Sequence, residues 1–485
     1  MDEAQIGMAL GAWGGEPGPL YVTLADALDE LIRAGRLEVG ARLPAERRLA
    51  AELHVSRGTV VSAYEELRRR GRIITRQGSG TTVTGPSTSD MSVFDPVPPR
   101  GGIYEGMFDE STEVIDLRSA YWIGVDDLPA SSFELPRDKW REELDGAGYH
   151  PSGLPELREQ IAAHLTRSGL DTTVEEVLVT NGAQQALALA CQLHLGPDEL
   201  CITEELTYPG MLDLVAALRG RVHTVPMDRD GVDVERLDRA VQRVDPKLVY
   251  LMPNVHNPTG IVVSEERRRA LTEKVAGWSQ MVIDDRTLAD MVIDRDPVTP
   301  LGQHDDGPLP NVLTVGSTSK SLWGGLRIGW VRGSAHEVDR LTRLKAVMDL
   351  GIPIASQMIA TELLPSKQGL SLVRGAELRR RRDLLVEGLR RHLPEWRFDV
   401  PQGGMCLWVE LPMSDARDFI NHARRHGVGL VPGNVSSPEA RVPSHLRLPF
   451  GQPPHVLEEA IDRMAAAWAD YQHRPVVTRD YRVIV

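Results

Sequence analysis

The chain is poor in cysteine and lysine, and it has no long apolar run. Its three cysteines, Cys191, Cys201 and Cys406, are scattered over 485 residues. An odd number without paired spacing excludes a disulfide framework and a zinc knuckle, so no metal is expected, and each thiol reads as a small buried hydrophobe in a reducing compartment. No uncharged stretch approaches the length of a membrane span. The start, Met1-Asp2-Glu3-Ala4, has neither the basic opening nor the apolar core of an export leader. A cytoplasmic protein without membrane contact is expected. The length suits about three core-forming units.

Only six lysines occur: Lys139, Lys247, Lys274, Lys320, Lys345 and Lys367. One of them, Lys320, follows a strand-like run, Asn311 to Val315, and sits in Gly316-Ser317-Thr318-Ser319-Lys320-Ser321-Leu322-Trp323-Gly324-Gly325-Leu326-Arg327. An amine framed by hydroxyls with an arginine downstream suits an anchor for pyridoxal 5'-phosphate, whose aldehyde condenses with a lysine and whose phosphate needs hydroxyl and guanidinium donors. Lys320 is therefore the candidate catalytic residue, with Ser317, Ser319 and Arg327 as phosphate ligands.

A different kind of motif lies upstream. Leu43-Pro44-Ala45-Glu46-Arg47-Arg48-Leu49-Ala50 reads as a helix with proline close to its start, Leu49 and Leu53 facing a small core. In Val55-Ser56-Arg57-Gly58-Thr59-Val60, Ser56 reads as the N-cap of a second helix carrying Val60, Tyr64 and Leu67 on one stripe. Ile73-Ile74, the turn Gln77-Gly78-Ser79-Gly80 and Thr81-Thr82-Val83 follow as a hairpin. Helix, turn, helix and wing make a DNA reader. Arg57 and Thr59, with Ser56, would approach base edges, while Arg47 and the wing at Gly78 would address phosphate. From Leu20 to Gly85 there are eleven arginines against eight acids, +3 in a chain of formal charge −14, which leaves −17 for the remainder. A basic module on an acidic body fits contact with double-stranded operator DNA through the module alone. The run Arg68-Arg69-Arg70 reads equally as a solvated helix end.

The expected organisation is a DNA-binding domain over 18–84, mostly helical with a β wing, a semi-extended Pro/Gly/Ser linker over 85–114, and a large α/β domain over 115–475. In that domain Val177-Leu178-Val179, Leu248-Val249-Tyr250-Leu251, Met281-Val282-Ile283 and Val312-Leu313-Thr314-Val315 read as buried strands alternating with amphipathic helices, which argues for a mostly parallel sheet.

Leu20 to Val83 resembles the winged helix-turn-helix of GntR-type regulators and the rest resembles fold-type-I pyridoxal-phosphate-dependent aminotransferases; together, in this order, they resemble the MocR subfamily of transcription factors. The resemblance implies further site residues at strand ends. Gly182, Ala183 and Gln184, after a strand and opening a helix, would receive phosphate on their amides. Tyr208, in Glu204-Glu205-Leu206-Thr207-Tyr208-Pro209-Gly210, would stack on the pyridine ring, and Asn257, in Asn254-Val255-His256-Asn257-Pro258-Thr259-Gly260, would donate to the phenolic oxygen. His256 reads as a loop residue. Asp284 aligns with the acid that faces the ring nitrogen, with Asp285 as the alternative. Two places after Asp284, where the family usually carries tyrosine, this chain has Arg286, which would alter the site's electrostatics and cannot act as a base. Arg447 in His445-Leu446-Arg447-Leu448-Pro449-Phe450 would clamp an effector carboxylate. Tyr149 would reach the phosphate in a partner subunit, which makes a homodimer the expected form.

These readings favour a regulator that senses an amino acid, an amine or the cofactor itself. An active aminotransferase with an accessory DNA-binding module is the alternative.

Overall fold

Apolar residues at helical spacing decide the N-terminal unit. In α1 (Leu20–Arg33), Leu24, Leu28 and Leu31 fall on one face and are buried, each contributing about 1.5 to 3 kcal/mol by leaving water. The computed structural model describes residues 6, 20–33, 37, 41–53, 55–69, 73–76, 80–83, 114–122, 128–135, 137–297, 299–438 and 442–473. The chain divides into two compact units, Met1–Pro96 and Val97–Val485. Gly78, Arg70 and all of the predicted linker except Val114 lie outside the described residues.

Helices α2 (Glu46–Glu52) and α3 (Arg57–Arg69) follow, and Leu49, Val60, Ala63, Tyr64 and Leu67 join the leucines of α1 in one core. The expected cap is present: the Thr59 amide donates to Ser56 Oγ at 3.0 Å, which satisfies one of the orphan donors of α3. Pro44 is not part of α2, which opens two residues later behind an extended Ala45. The Pro44 carbonyl instead accepts from the Tyr64 hydroxyl at 2.9 Å and so ties the lead into α2 to α3. Strands β1 (Ile73–Arg76) and β2 (Gly80–Val83) pair antiparallel, Ile73 opposite Val83. The Leu43 amide bonds the Thr81 carbonyl at 2.8 Å, adding the segment before α2 to the wing.

The larger unit is built on a seven-stranded sheet. In chain order its strands are β3 (Val177–Asn181), β4 (Leu200–Glu204), β5 (Arg221–Val225), β6 (Leu248–Leu251), β7 (Met281–Asp285), β8 (Val312–Ser317) and β9 (Ile328–Arg332). Their order across the sheet is β3-β9-β8-β7-β6-β4-β5, and β9 alone runs antiparallel to its neighbours. Both faces are covered, so successive residues go to opposite cores. Leu178, Tyr250, Ile283, Leu313 and Val315 pack with α4 (Gly182–His194), α5 (Pro209–Ala217) and α8 (Ala335–Asp349). Val249, Leu251, Val282 and Val312 pack with α6 (Val234–Val244) and α7 (Glu265–Ala276) on the other face.

A second lobe gathers α9 (Lys367–His392), β10 (Cys406–Glu410), α10 (Arg417–Arg425), β11 (Val431–Pro432), β12 (His445–Pro449) and α11 (Pro454–Gln472) around Leu385, Leu407, Phe419, Phe450 and Trp468. Among the described residues no helix is long and apolar enough to cross a membrane. All three cysteines are buried and free.

Candidate functional site

Lys320 owes its position to a chain reversal after β8. Ser317 Oγ donates to Ser319 Oγ at 2.9 Å and the Ser319 amide returns to Ser317 Oγ at 3.1 Å. The Thr318 amide bonds the Ile328 carbonyl at 3.0 Å. This closes a short π-helical turn, Ser319–Trp323, from which Lys320 Nζ donates to the Ala120 carbonyl. Burial disfavours the charged amine and brings its pKa down to about 8; the nearby Arg447 and Arg327 act in the same sense. A lysine so placed yields the neutral, nucleophilic amine without strongly alkaline conditions.

Beside it, β3 ends at Asn181 and α4 begins at once with Gly182, whose φ of +69° suits glycine. Pairing of Ile328 with Asn181 brings Arg327 alongside, where Nη2 donates to the Asn181 carbonyl at 3.1 Å. A Cβ on Gly182 would lie 2.5 Å from that nitrogen. The Tyr208 hydroxyl donates to Gln184 Oε1 in the first turn of α4 at 3.0 Å. Burial, then Asp285, pushes its pKa up to about 12. Gly182, Ala183, Gln184, Tyr208 and Arg327 thus converge, with free amides of a helix N-terminus, a guanidinium and an aromatic face in one place. That donor set, with Arg327 packed close over Gly182, fits a phosphate joined to a flat ring.

The two candidate acids part company. Asp284 and Asp285 are consecutive strand residues and point to opposite faces of the sheet. Asp284 Oδ2 accepts from the Leu301 amide at 3.0 Å on the α7 side, near Arg286 and Arg268, and burial raises its pKa to about 6. Asp285 faces the side of Tyr208: Oδ2 accepts from the Tyr250 hydroxyl at 2.6 Å, and Oδ1 from the Thr287 amide and hydroxyl at 2.9 and 2.7 Å. Asp285 is therefore the carboxylate on the Tyr208 side of the sheet, and Asp284 lies on the other. Arg286 is displaced for the same reason. It shares the face of Asp284, its charge is opposed by burial and favoured by Asp284 and Asp290, and it lines a cavity of about 920 Å³ with Thr314, Trp330 and Arg379. Ser317 lines the same cavity, and the position two after Asp285 is Thr287.

Asn257 is half-buried in its loop. His256 is fixed by Thr259 Oγ1 at 2.8 Å and the Leu206 carbonyl at 2.9 Å, and burial lowers its pKa to about 4. It is a neutral loop residue that orders the Tyr208 segment. Arg447 on β12 stands near Lys320 and Tyr208. Its Nη2 donates to the Arg118 carbonyl, and its buried Nε has no hydrogen-bond partner among the described residues. Tyr149 is 67% exposed and makes no part of this chain's own cluster. Two participants escaped sequence reasoning. Cys406, on β10, lies next to Lys320 and Arg447, and the segment 118–120 supplies backbone carbonyls to both cations. Neither carries a motif.

On the N-terminal unit, Arg47 is exposed on α2, and Ser56 and Arg57 are exposed where α3 begins. Thr59 Oγ1 is 2.8 Å from Ser56 Oγ, so its hydroxyl is shared with the cap. The arrangement presents the N-terminal end of the second helix, the end that such modules place in the major groove.

A seven-stranded sheet with one reversed strand, a C-terminal lobe and a buried lysine beyond the sheet define the fold-type-I class. The chain belongs to the class I and II aminotransferase family, whose model matches residues 142–464. It also carries the DNA-binding domain of the bacterial gntR regulatory family, matched over residues 20–83. It is 29% identical over 446 residues to the uncharacterized HTH-type transcriptional regulator YisV of Bacillus subtilis, covering 87% of this chain and 90% of that protein. It is 29% identical over 443 residues to the corresponding regulator YdcR of Escherichia coli, covering 86% and 92%. Among solved structures it resembles LysN, the alpha-aminoadipate aminotransferase of Thermus thermophilus, complexed with N-(5'-phosphopyridoxyl)-L-leucine. The TM-score there is 0.68 at 25% identity, covering 76% of this chain and 95% of that one. Domain order and relatives match the MocR-type architecture.

Proposed function

We propose that this protein is a cytoplasmic, pyridoxal-phosphate-dependent transcriptional regulator. It binds double-stranded operator DNA through residues 18–84, transmits a signal through the segment 85–114, and senses an amino acid, an amine or the cofactor itself in residues 115–475. The observation that carries the reading is the convergence of Lys320, Arg327, Tyr208 and Arg447 in a chain that also bears a GntR module. When bound, the cofactor supplies an aldehyde for the lysine and an electron-withdrawing ring.

This chain's own residues do the rest. Lys320 offers a partly neutral amine. Gly182 to Gln184, Ser317, Ser319 and Arg327 hold phosphate, Tyr208 covers the ring, Asn257 donates to the phenolic oxygen, and Asp285 keeps the ring nitrogen protonated. Arg447, with a free Nε in a buried setting, claims a ligand carboxylate. The exposed Tyr149 serves the site of a second copy in a homodimer. The relatives named as transcriptional regulators span both domains, which favours regulation over metabolic turnover as the selected function.

The test combines two assays on the full-length protein: retention of DNA selected from a random-sequence pool, and turnover with a panel of amino acids and 2-oxo acids. Sequence-specific retention that shifts with an amino acid or with the cofactor supports the proposal. Rapid transamination without specific retention would establish the enzyme reading instead.

A further inference from the structure

The C-terminal lobe assembles a second group of chemically capable side chains, far from any role given above. His422 lies on α10 and His426 at its C-cap, four residues on; Asp470 comes from the facing helix α11. His422 Nε2 is 2.9 Å from Asp470 Oδ2, and His426 Nε2 is 3.4 Å from the same oxygen. One ligand atom from each of the three lies within 4.8 Å of the others, the one such group among the described residues.

The spacing has a direct chemical meaning. Histidines at i and i+4 stand on one side of a helix, so their imidazoles can turn toward a common point. Ligands about 2.0 to 2.1 Å from a tetrahedral ion are separated from each other by about 3.3 Å, and the two nitrogen-to-oxygen separations bracket that edge. Two imidazole nitrogens with one carboxylate oxygen select a borderline transition ion over magnesium or calcium, which prefer all-oxygen shells. The setting is dry below and open above. His422 is 2% exposed and faces the Tyr471 ring at 5.8 Å, whereas His426 is 30% and Asp470 58% exposed.

We propose that His422, His426 and Asp470 bind one divalent ion of the zinc type, with the fourth position left to water, fastening the end of α10 to α11. Without the ion, Arg425 Nη2 donates to His422 Nδ1 at 3.0 Å, which leaves the imidazole proton on Nε2, directed at Asp470. Loading the ion moves that proton to Nδ1, and the exposed Arg425 side chain turns away to water. No electron transfer or outside reactant is required. The ligands come from two segments some 45 residues apart in sequence, so cysteine-based motif spacing gives no sign of them.

The test uses the tag-free, full-length protein titrated with zinc chloride by calorimetry and with cobalt(II) chloride by visible absorption. The wild type is expected to bind one equivalent in this site, to show the intense visible band of a four-coordinate cobalt ion, and to melt higher with zinc present. His426→Ala and Asp470→Asn, both changed at accessible positions, are expected to lose affinity at least tenfold and to lose the cobalt band, while metal-free melting stays at the wild-type value. Absence of saturable binding in the wild type overturns the proposal. So does wild-type affinity in His426→Ala, because the ion would then reside elsewhere.

Discussion

At the scale of single residues, burial rather than ion pairing sets protonation around the candidate site. His256 is held near pKa 4, and the neighbouring Glu204, 3.8 Å away, is pushed up to about 8 by its own burial, so the two face each other uncharged at neutral pH. A depressed imidazole contributes stability that is present above the unfolded value of 6.5 and is lost as pH falls toward 4, on the order of 3 kcal/mol for a shift of this size. Glu204 and Asp284 act in the opposite sense, since their raised values let the folded state hold protons that the unfolded chain releases. The diagnostic quantity is therefore a difference. Urea unfolding of the wild type and of His256→Gln from pH 7.5 to about 4.5 should show the wild type losing the larger share of stability below about pH 6.5. Parallel curves would mean that His256 does not titrate as its surroundings dictate. Lys320 makes an equally sharp case: Lys320→Ala should abolish the borohydride-stable cofactor adduct seen by mass spectrometry and leave the melting temperature of the apoprotein almost unchanged. An adduct on another lysine would move the site.

At the scale of elements, the junction of β3, α4 and β9 depends on two glycines. A Cβ at Gly329 would come within 2.4 Å of the Gly182 backbone carbon, so Gly329→Ala must separate β9 from the start of α4. It is expected to cost about 2 to 4 kcal/mol in chemical denaturation. Gly182→Ala collides only with the movable end of Arg327 and adds a left-handed backbone penalty of about 1 kcal/mol. It should weaken cofactor binding at least tenfold in an absorbance titration and spare most of the stability. In the DNA reader, Arg57→Ala at the start of α3 should erase discrimination between selected and scrambled sequences, each base-edge contact being worth about 1 to 3 kcal/mol. Arg47→Ala should weaken all sequences alike and flatten the salt dependence. Identical binding curves for the two variants would refute this division.

How much of this was legible beforehand follows from the same elements. Strands such as Val312–Ser317 announce themselves because both faces are buried and Val312, Leu313 and Val315 make the run largely apolar. Arg221–Val225 does not, because it is the outer strand and carries arginine and histidine. Lys320 and its hydroxyl frame were readable from local order. Which of Asp284 and Asp285 faces Tyr208 was not, because it rests on the phase of strand alternation, which depends on how β7 is registered against β6 and β8. The backbone carbonyls of Arg118 and Ala120 were invisible for a simpler reason: no side chain marks them.

At the scale of the whole molecule, the proposed regulator links effector and operator through differential affinity for two states of the chain. Arg447→Ala should leave cofactor and DNA binding intact and raise the effector concentration needed to shift operator affinity more than tenfold. Loss of a buried partner for a carboxylate costs about 2 to 5 kcal/mol. Fluorescence anisotropy of labelled operator, titrated with effector, reads this directly. An unchanged midpoint would show that the sensed molecule carries no carboxylate, or that the cofactor itself is the signal.

The two donors proposed for ligands, Lys320 Nζ and Arg447 Nη2, are engaged with the Ala120 and Arg118 carbonyls. Upstream of these, the Ile115 and Leu117 amides bond the Gly427 and Gly429 carbonyls at 2.9 and 3.0 Å and hold independently. On the proposed reading, residues 118–120 are an internal competitor, seated on the hydrogen-bond donors that cofactor and effector would use. Such competition is reciprocal: occupancy would free this stretch, and anything that pins it would lower the apparent affinity for both ligands. In the order of the chain the stretch comes directly after the proposed connecting segment, so on that reading a filled pocket would act first on the described residues nearest in sequence to the reader.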